Sequence, residues 1–389
     1  MAERILIAGG GTGGHLVPAL NLAAALRRAA PACELLLVGA ERGVEARVLP
    51  TSGYDFRLLP MEPLRRTRPW ENWKLLRSGP KVLGGVAAAF RTLDPHVVLG
   101  TGGYASGPAL AYAIAARRPT AIQEQNAWPG LATRLLAPQV NQVHLGYPEA
   151  AAHLKPGRGT EVQAHGNPVA LLAKAGGRAG PAGGGHPAAP DALDWPAGRI
   201  VLVTGGSQGA RGLNDLLLRD LSAASTWPEQ TTLVWISGPA NLEAVTAAVR
   251  GTPWADRIRI LAWVDGLGAC LGGVSLAISR AGAMTCAEFA AAGVPACLVP
   301  LPTSAGDHQR HNAKALAAAG GARVFEQDEA APGALWSSVV ELMGSEAERE
   351  AMARAMRGRG RPDAADRIAA DLLRLAGKAA GGGRRHADD

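Results

Sequence analysis

Residues 4–20, RILIAGGGTGGHLVPAL, run from a short apolar segment through a cluster of glycines to His15. Gly9, Gly11 and Gly14 satisfy the spacing G-x-G-x-x-G between a strand-like and a helix-like stretch. There the missing side chains let main-chain amides approach a phosphate, and the helix start adds aligned N–H groups. A single such turn also fits a dinucleotide-binding oxidoreductase, with Glu41 past the second apolar run as its ribose-binding acid, or a tight turn without a ligand. Two further turns, Gly100–Gly107 and Gly205–Gly209, weigh against both, because a dehydrogenase normally needs one dinucleotide-binding half. His15 stands directly behind the first turn. The helix dipole there disfavours imidazolium, and a neutral imidazole can accept a proton as general base. The alternative is a histidine that only bonds nearby backbone.

Other chemistry-bearing residues follow the later turns. GGSQGA offers Ser207 and Gln208 among backbone donors, a cradle for a diphosphate. SRAGAMTCAEFAAAGVP has a turn at Gly282 and then a helix carrying Glu288, a carboxylate suited to the paired hydroxyls of a ribose, or else a surface residue. GDHQRHNA brings Asp307, His308 and Gln309 to a helix start. Such groups suit sugar hydroxyls, although helix capping is the better reading of Asp307 alone.

The elements that must position these residues alternate. RILIAG, CELLLVG, HVVLG and PTAIQEQN read as strands, with helices at PALNLAAALRRAA (Pro18 near its first turn) and ASGPALAYAIAARR. The opening plan returns at RIVLVTGGSQGARGLNDLLLRDL. TTLVWISG, IRILAWV, LAISRAG and PACLVPL are further strands, and MTCAEFAAAG and DHQRHNAKALAAAG are helices closing on glycine. Strands alternating with helices imply parallel sheets covered on both faces, with ligands at the carboxyl ends of the strands. The boundaries expected are an N-terminal α/β domain at residues 1–168 and a Gly/Pro/Ala-rich linker or insertion at 169–198. A second α/β domain follows at 199–345, then C-terminal helices at 346–376 packing back toward the first domain, and a disordered tail at 377–389.

Of the 389 residues, 47% are apolar but only 4% aromatic, so the cores rest on Ala, Val and Leu. The formal charge of +7 fits an anionic partner or an arginine-rich solvated surface. Cys33, Cys270, Cys286 and Cys297 show no C-x-x-C spacing, and three of them sit in apolar runs, which reads as small buried thiols in a reducing cytosol. The N-terminal residues lack a signal-peptide pattern, and their apolar stretch is too short to span a bilayer.

Together the stretches GGGTGGHLVPAL, GTGGYASGP, EQNAWPGLATRLLA, GNPV, GGSQGARGLN, SRAGAMTCAE, AAAGVPACLVP and DHQRHNA resemble the MurG glycosyltransferases, in that family's order and over nearly all the chain outside the linker and tail. The resemblance implies a GT-B fold, two Rossmann-like doubly wound α/β domains facing across a cleft, with residues 1–168 as the acceptor and membrane-side domain and 199–345 as the UDP-sugar-binding domain. It implies an inverting transfer of N-acetylglucosamine from UDP-GlcNAc to the C4 hydroxyl of undecaprenyl-diphosphate-MurNAc-pentapeptide, lipid I to lipid II, in peptidoglycan synthesis. His15 is then the base. Thr12, Gly13 and Gly14 lie at the sugar end of the donor, Asn126 bonds the N-acetylglucosamine, and Ser207 meets the diphosphate. The backbone of Val264 pairs with uracil. Gly282, Ala283, Met284 and Thr285 lie over the phosphates, Glu288 binds the ribose, and Gln309, helped by His308, contacts sugar hydroxyls.

The acceptor diphosphate is expected at Gly13, Gly14, Gly102, Gly103 and Tyr104. Two positions depart from the family pattern: Ala170 follows GNPV where arginine is frequent, and Gln123 precedes EQN where histidine is frequent. No D-x-D motif is present and backbone amides suffice for the leaving diphosphate, so no cofactor or metal is expected. An acceptor held in the bilayer implies a peripheral enzyme on the cytoplasmic face of the bacterial plasma membrane. Arg65, Arg66, Arg68, Lys74, Arg77 and Lys81 are placed to meet anionic headgroups, with Trp70 and Trp73 in the interfacial zone, or else they form a solvated face with core tryptophans. Cell-wall synthesis or division proteins are the implied protein partners, and nucleic acid is not one. The rival readings are a GT-B enzyme with another lipid acceptor such as diacylglycerol, a silent nucleotide-sugar binder, and an NAD-dependent oxidoreductase.

Overall fold

The computed structural model describes residues 2–62, 70, 73–170, 196–206, 210–264 and 266–382. The chain divides into two compact units, one holding the described residues up to Val169 together with those from Pro362 onward, the other holding Ala170 and the residues up to Arg361. Most of the expected linker, 171–195, and the end of the tail, 383–389, lie outside the described residues.

Unit 1 runs β1 (Arg4–Ala8), α1 (Gly13–Ala29), β2 (Glu34–Ala40), α2 (Glu45–Val48), β3 (Asp55–Leu59), α3 (Trp73–Leu93), β4 (Val97–Gly100), α4 (Gly103–Ala115), β5 (Thr120–Glu124), α5 (Leu131–Leu136), β6 (Gln142–Leu145) and β7 (Glu161–Gln163). Its seven strands pair in parallel in the order β3-β2-β1-β4-β5-β6-β7. Unit 2 runs β8 (Arg199–Thr204), α6 (Arg211–Ser222), β9 (Thr231–Ile236), α7 (Leu242–Arg250), β10 (Ile258–Leu261), α8 (Leu267–Cys270), β11 (Leu276–Ser279), α9 (Ala283–Ala292), β12 (Ala296–Leu298), α10 (His308–Ala318), β13 (Ala322–Val324), α11 (Ala334–Gly344) and α12 (Glu346–Arg359). Its six strands are also parallel, in the order β10-β9-β8-β11-β12-β13. A last helix, α13 (Ala364–Gly382), belongs to unit 1. In each sheet the order reverses beside the first strand, between β1 and β4 and between β8 and β11, so the turns leaving those strands sit side by side.

The period-two alternation of a strand explains why both faces of unit 1 are filled. Ile5 and Ile7 of β1 pack with Leu16, Leu22 and Leu26 of α1 and with Ile368 and Leu372 of α13. Leu6 and Ala8 face the other way, toward Val86 and Phe90 of α3 and Ala109 and Leu110 of α4. In unit 2, Val201, Val203, Leu233 and Trp235 pack with Leu213 and Leu217 of α6 and Leu335, Val339 and Leu342 of α11. Asp220, fully buried on α6, accepts the N–H groups of Gly333, Leu335 and Trp336 and so caps α11 from a distance.

Some sequence expectations shift. Helix α1 starts at Gly13, so Pro18 falls past the first turn, and Pro108 lies the same distance into α4. Cys286 and Cys297 are buried, but Cys33 and Cys270 are only partly so, and none is in a disulfide. Of the two C-terminal helices α13 is part of unit 1, where it packs against α1, and α12 is part of unit 2, where it lies against α9. Leu372 is fully buried, so Leu372→Ala is expected to cost about 2–5 kcal/mol in urea unfolding. Leu135→Ala on α5, at a side chain 62% exposed, is expected to stay within about 0.5 kcal/mol. Equal losses would show that α13 is not part of the core.

Candidate functional site

In unit 1 the turns after β1 and β4 interlock. The N–H of Gly10 donates to the Gly102 carbonyl at 3.4 Å, and the N–H of Thr101 donates to Ala8. The Thr101 hydroxyl donates to the His15 carbonyl at 2.9 Å. A side chain at Gly102, where φ is +96°, would strike the His15 ring, and the ring of Tyr104 occupies the space a side chain at Gly11 would need. Thr12 leads into α1 with extended backbone, and Gly102 leads into α4. Gly13 and Gly14 of α1, and Gly103 and Tyr104 of α4, present the first-turn amides that a helix cannot satisfy internally.

One donor of the first turn is already used. Glu45 of α2 is fully buried, and its Oε1 accepts the N–H of Gly11. The expected approach of the whole turn to a phosphate therefore narrows to the start of α1. Nothing in the sequence marks Glu45, because its role depends on α2 folding over the turn.

His15 is half-buried, and its Nδ1 lies 3.0 Å from Oε1 of Gln125. The amide nitrogen of Gln125 donates to the Thr101 carbonyl at 2.7 Å and the Gln123 carbonyl at 3.0 Å, which fixes the amide with its oxygen toward His15. An amide oxygen only accepts, so Nδ1 carries the proton and the neutral ring presents Nε2 as its basic nitrogen. Behind it, Asn167 of GNPV donates to the Gln125 carbonyl at 2.9 Å and accepts from Gln123 at 3.0 Å. Gln123 thus serves this network at the position where histidine is frequent. Glu124, also buried, organises the next loop. Its Oε1 accepts the backbone and side-chain N–H groups of Asn126 at 3.1 and 3.2 Å, and its Oε2 accepts Gly130 N–H and the Thr133 hydroxyl. Sequence alone points to Asn126 in this stretch and not to its neighbours: the partners of Gln125 lie far along the chain, and Glu124 gains its role only when the loop to Thr133 folds over it.

In unit 2, Gly282 leads α9 with extended backbone, so the amides of Ala283, Met284 and Thr285 form an open helix start. Glu288, one turn further, is half-buried and has no hydrogen-bond or ion-pair partner among the described residues. Desolvation pushes its carboxyl up to about 7. Arg280, before the turn, donates to the carbonyls of Val299 and Pro300 at 3.1 and 3.2 Å and to Gln327, joining the ends of β11 and β12. Val264 is buried, yet neither its N–H nor its carbonyl has a partner among the described residues, an arrangement able to pair with the edge of a base. At the start of α10, Gln309 accepts the Leu301 N–H at 3.0 Å, which leaves its NH2 as donor, and His308 Nδ1 bonds the Ala305 carbonyl. Asn312 ties α10 to the α9 turn through the Ala281 carbonyl at 3.2 Å. Asp307 does not cap α10: it has left-handed backbone, and its carboxylate pairs with Arg310 at 2.9 Å. Ser207 and Gln208 lie outside the described residues.

Of the basic and aromatic patch, Arg65, Arg66 and Arg68 lie outside the described residues, as do the side chains of Lys74 and Arg77. Trp70 and Trp73 are 70% and 52% exposed, and Lys81 is exposed. These tryptophans are therefore not core residues. Among the described residues no helix is long and apolar enough to cross a membrane.

Comparison with known proteins bears on both units. Residues 5–145 match the glycosyltransferase family 28 N-terminal domain and residues 200–368 the family 28 C-terminal domain. The chain is 35% identical to the UDP-N-acetylglucosamine–N-acetylmuramyl-(pentapeptide) pyrophosphoryl-undecaprenol N-acetylglucosamine transferase of Chlorobaculum parvum, over 96% of this chain and 99% of that one. It is 37% identical to the transferase of the same name from Chlorobium luteolum, again over 96% and 99%. The crystal structure of Acinetobacter baumannii MurG superposes with a TM-score of 0.72 at 27% identity, over 96% of this chain and 99% of that one. The fold class is GT-B and the protein is a hexosyltransferase. With two parallel-sheet units, both family 28 domains and relatives matched nearly end to end, the chain belongs to the MurG family of glycosyltransferases.

Proposed function

We propose that the protein transfers N-acetylglucosamine from UDP-GlcNAc to the C4 hydroxyl of undecaprenyl-diphosphate-MurNAc-pentapeptide, converting lipid I to lipid II in peptidoglycan synthesis. The observation that carries this reading is the His15 ring, fixed by Gln125 with Nε2 as acceptor at the start of α1. The acceptor hydroxyl attacks the anomeric carbon from the face opposite UDP. His15 Nε2 takes the hydroxyl proton, the bond from the anomeric carbon to the diphosphate oxygen breaks with its electron pair, and configuration inverts. The amides of Ala283, Met284 and Thr285, with Ser207, take up the charge that builds on the diphosphate. Glu288 accepts the ribose hydroxyls, the backbone of Val264 pairs with uracil, and Asn126, His308, Gln309 and Thr12 hold the sugar. The amides of Gly13, Gly14, Gly102, Gly103 and Tyr104 hold the acceptor diphosphate.

Transfer measured with UDP-GlcNAc and the lipid-linked muramyl-pentapeptide tests the whole reading. Turnover with diacylglycerol in place of that acceptor, or none with either, would sink it. His15→Ala is expected to lower kcat by about 10²–10⁴-fold with little change in UDP-GlcNAc affinity. Gln125→Met, which keeps bulk but removes the acceptor that sets the tautomer, should lower kcat roughly tenfold or more without weakening UDP-GlcNAc binding. An unchanged kcat in either variant removes that residue from its role.

Glu288 gives a pH test. Its carboxyl is raised to about 7, so it is protonated below that value and accepts two hydroxyls only above it. Affinity for UDP-GlcNAc should therefore strengthen as pH rises through that value, and Glu288→Gln should bind more weakly with no such dependence. A titration equally steep in both would refute the ribose role.

We further propose that residues 65–81 bring the enzyme to the cytoplasmic face of the bacterial plasma membrane, supported by the exposure of Trp70, Trp73 and Lys81. In this setting it works with cell-wall synthesis or division proteins. At about 1 kcal/mol per basic residue near an anionic surface, replacing Arg65, Arg66 and Arg68 with alanine should weaken vesicle binding on the order of 100-fold. Flotation with anionic and neutral vesicles measures this, and binding indifferent to lipid charge would discard the patch.

A further inference from the structure

A second cluster of chemistry-bearing side chains lies in unit 1 and has no part in the transfer reaction. His144 is on β6, His165 lies just beyond β7, and Asp371 is on α13. His165 Nε2 is 2.8 Å from Asp371 Oδ2, and His144 Nδ1 is 4.0 Å from the same oxygen. The two imidazoles stack, with centroids 5.6 Å apart and planes 22° apart. One ligand atom from each of the three residues falls within 4.8 Å of the others. Arg374 takes the other oxygen of Asp371 at 3.2 Å, which leaves Oδ2 toward the imidazoles.

The anomaly is His144. It is fully buried, yet among the described residues neither ring nitrogen has a hydrogen-bond partner. Buried polar groups are rarely left so, because each unmet nitrogen forfeits its hydration. Two imidazoles and one carboxylate converging on a point are the donors of a zinc-class site, whereas magnesium and calcium prefer oxygen alone. His165 keeps partial solvent exposure, which provides an entry path for an ion.

We propose that His144, His165 and Asp371 bind one zinc-class divalent ion, which clips α13 to the β6–β7 edge of the unit 1 sheet. The bond lengths of such an ion, about 2.0–2.2 Å, draw the three donors closer than they stand here. The side chains of His165 and Asp371, the two nearer the surface, supply that movement by rotation. The ion replaces the hydrogen bond between His165 and Asp371 and gives His144 the partner it lacks. Because α13 carries Ile368 and Leu372 into the core, the ion bears on the stability of unit 1 and not on the chemistry of transfer.

The full chain, stripped with chelator, is titrated with Zn2+ against a fluorescent zinc indicator at neutral pH, and with Co2+ followed by its visible absorption. The expected result is one equivalent bound, a tetrahedral Co2+ spectrum, no displacement by millimolar Mg2+, and a thermal midpoint that rises with Zn2+. His165→Gln and Asp371→Asn, at partly exposed positions and checked for folding by circular dichroism, should each weaken Zn2+ binding about tenfold or more and abolish the thermal shift. A wild-type chain that binds no Zn2+, or variants that bind it as tightly as the wild type, would overturn the proposal.

Discussion

The amide of Gln125 is the small constraint on which the chemistry of unit 1 turns. Its nitrogen is committed to two main-chain carbonyls, so the oxygen has one direction left, and that direction ends on His15. The imidazole is thereby held by a neutral acceptor instead of a carboxylate. A carboxylate there would favour imidazolium, whereas an amide oxygen fixes the proton on Nδ1 without stabilising the charge. Two supports of Gln125 come from distant parts of the chain, Thr101 after β4 and Asn167 beyond β7, and the third, Gln123, lies beside it in β5. A ring on the first helix is thus oriented by the far half of its own sheet.

The parallel order of the strands makes this convergence possible. With β1 beside β4, the turns that follow them must share one rim, and side chains there compete for the same space. Thr101 and Tyr104 reach across from the second turn into the first, and Glu45 reaches in from α2. The glycines of the opening motif therefore serve protein groups as well as ligands. Gly10 and Gly11 yield room to Glu45 and Tyr104, and only the amides at the head of α1 keep the anion-binding character that the motif suggests. Unit 2 repeats the plan around β8 and β11, with Arg280 joining neighbouring strand ends where unit 1 uses amide side chains.

Much of this was legible from residue order. The buried central strands announce themselves as apolar runs before glycine, and His15, Asn126, Gly282 and Glu288 follow from turn chemistry and family pattern. The strands that escape notice are short and polar: DFRLL, EVQ and ARV lie at sheet edges, where one side needs no partner, and QVHL hides two polar residues in a fully buried strand. Asp307 misleads because local preference favours a cap, while Arg310, three residues on, competes successfully for its carboxylate. Glu45, Glu124 and Gln125 could not be assigned from position alone, since burial and partners are properties of the folded chain. The same holds for His144, whose unmet nitrogens appear only once the strand is enclosed.

Helix α13 has one more consequence. The first strand of the protein finds part of its packing in the last helix, with all of unit 2 between them in the chain. During synthesis, residues 1–169 leave the ribosome with one sheet face covered by α1 but not yet by α13, and unit 2 emerges before that cover is complete. Completion of the N-terminal unit therefore waits on the emergence of α13. A chain stalled short of residue 364 would display Ile5, Ile7 and Val97 of β1 and β4 on an unfinished surface, the kind of exposure that chaperones and proteases recognise.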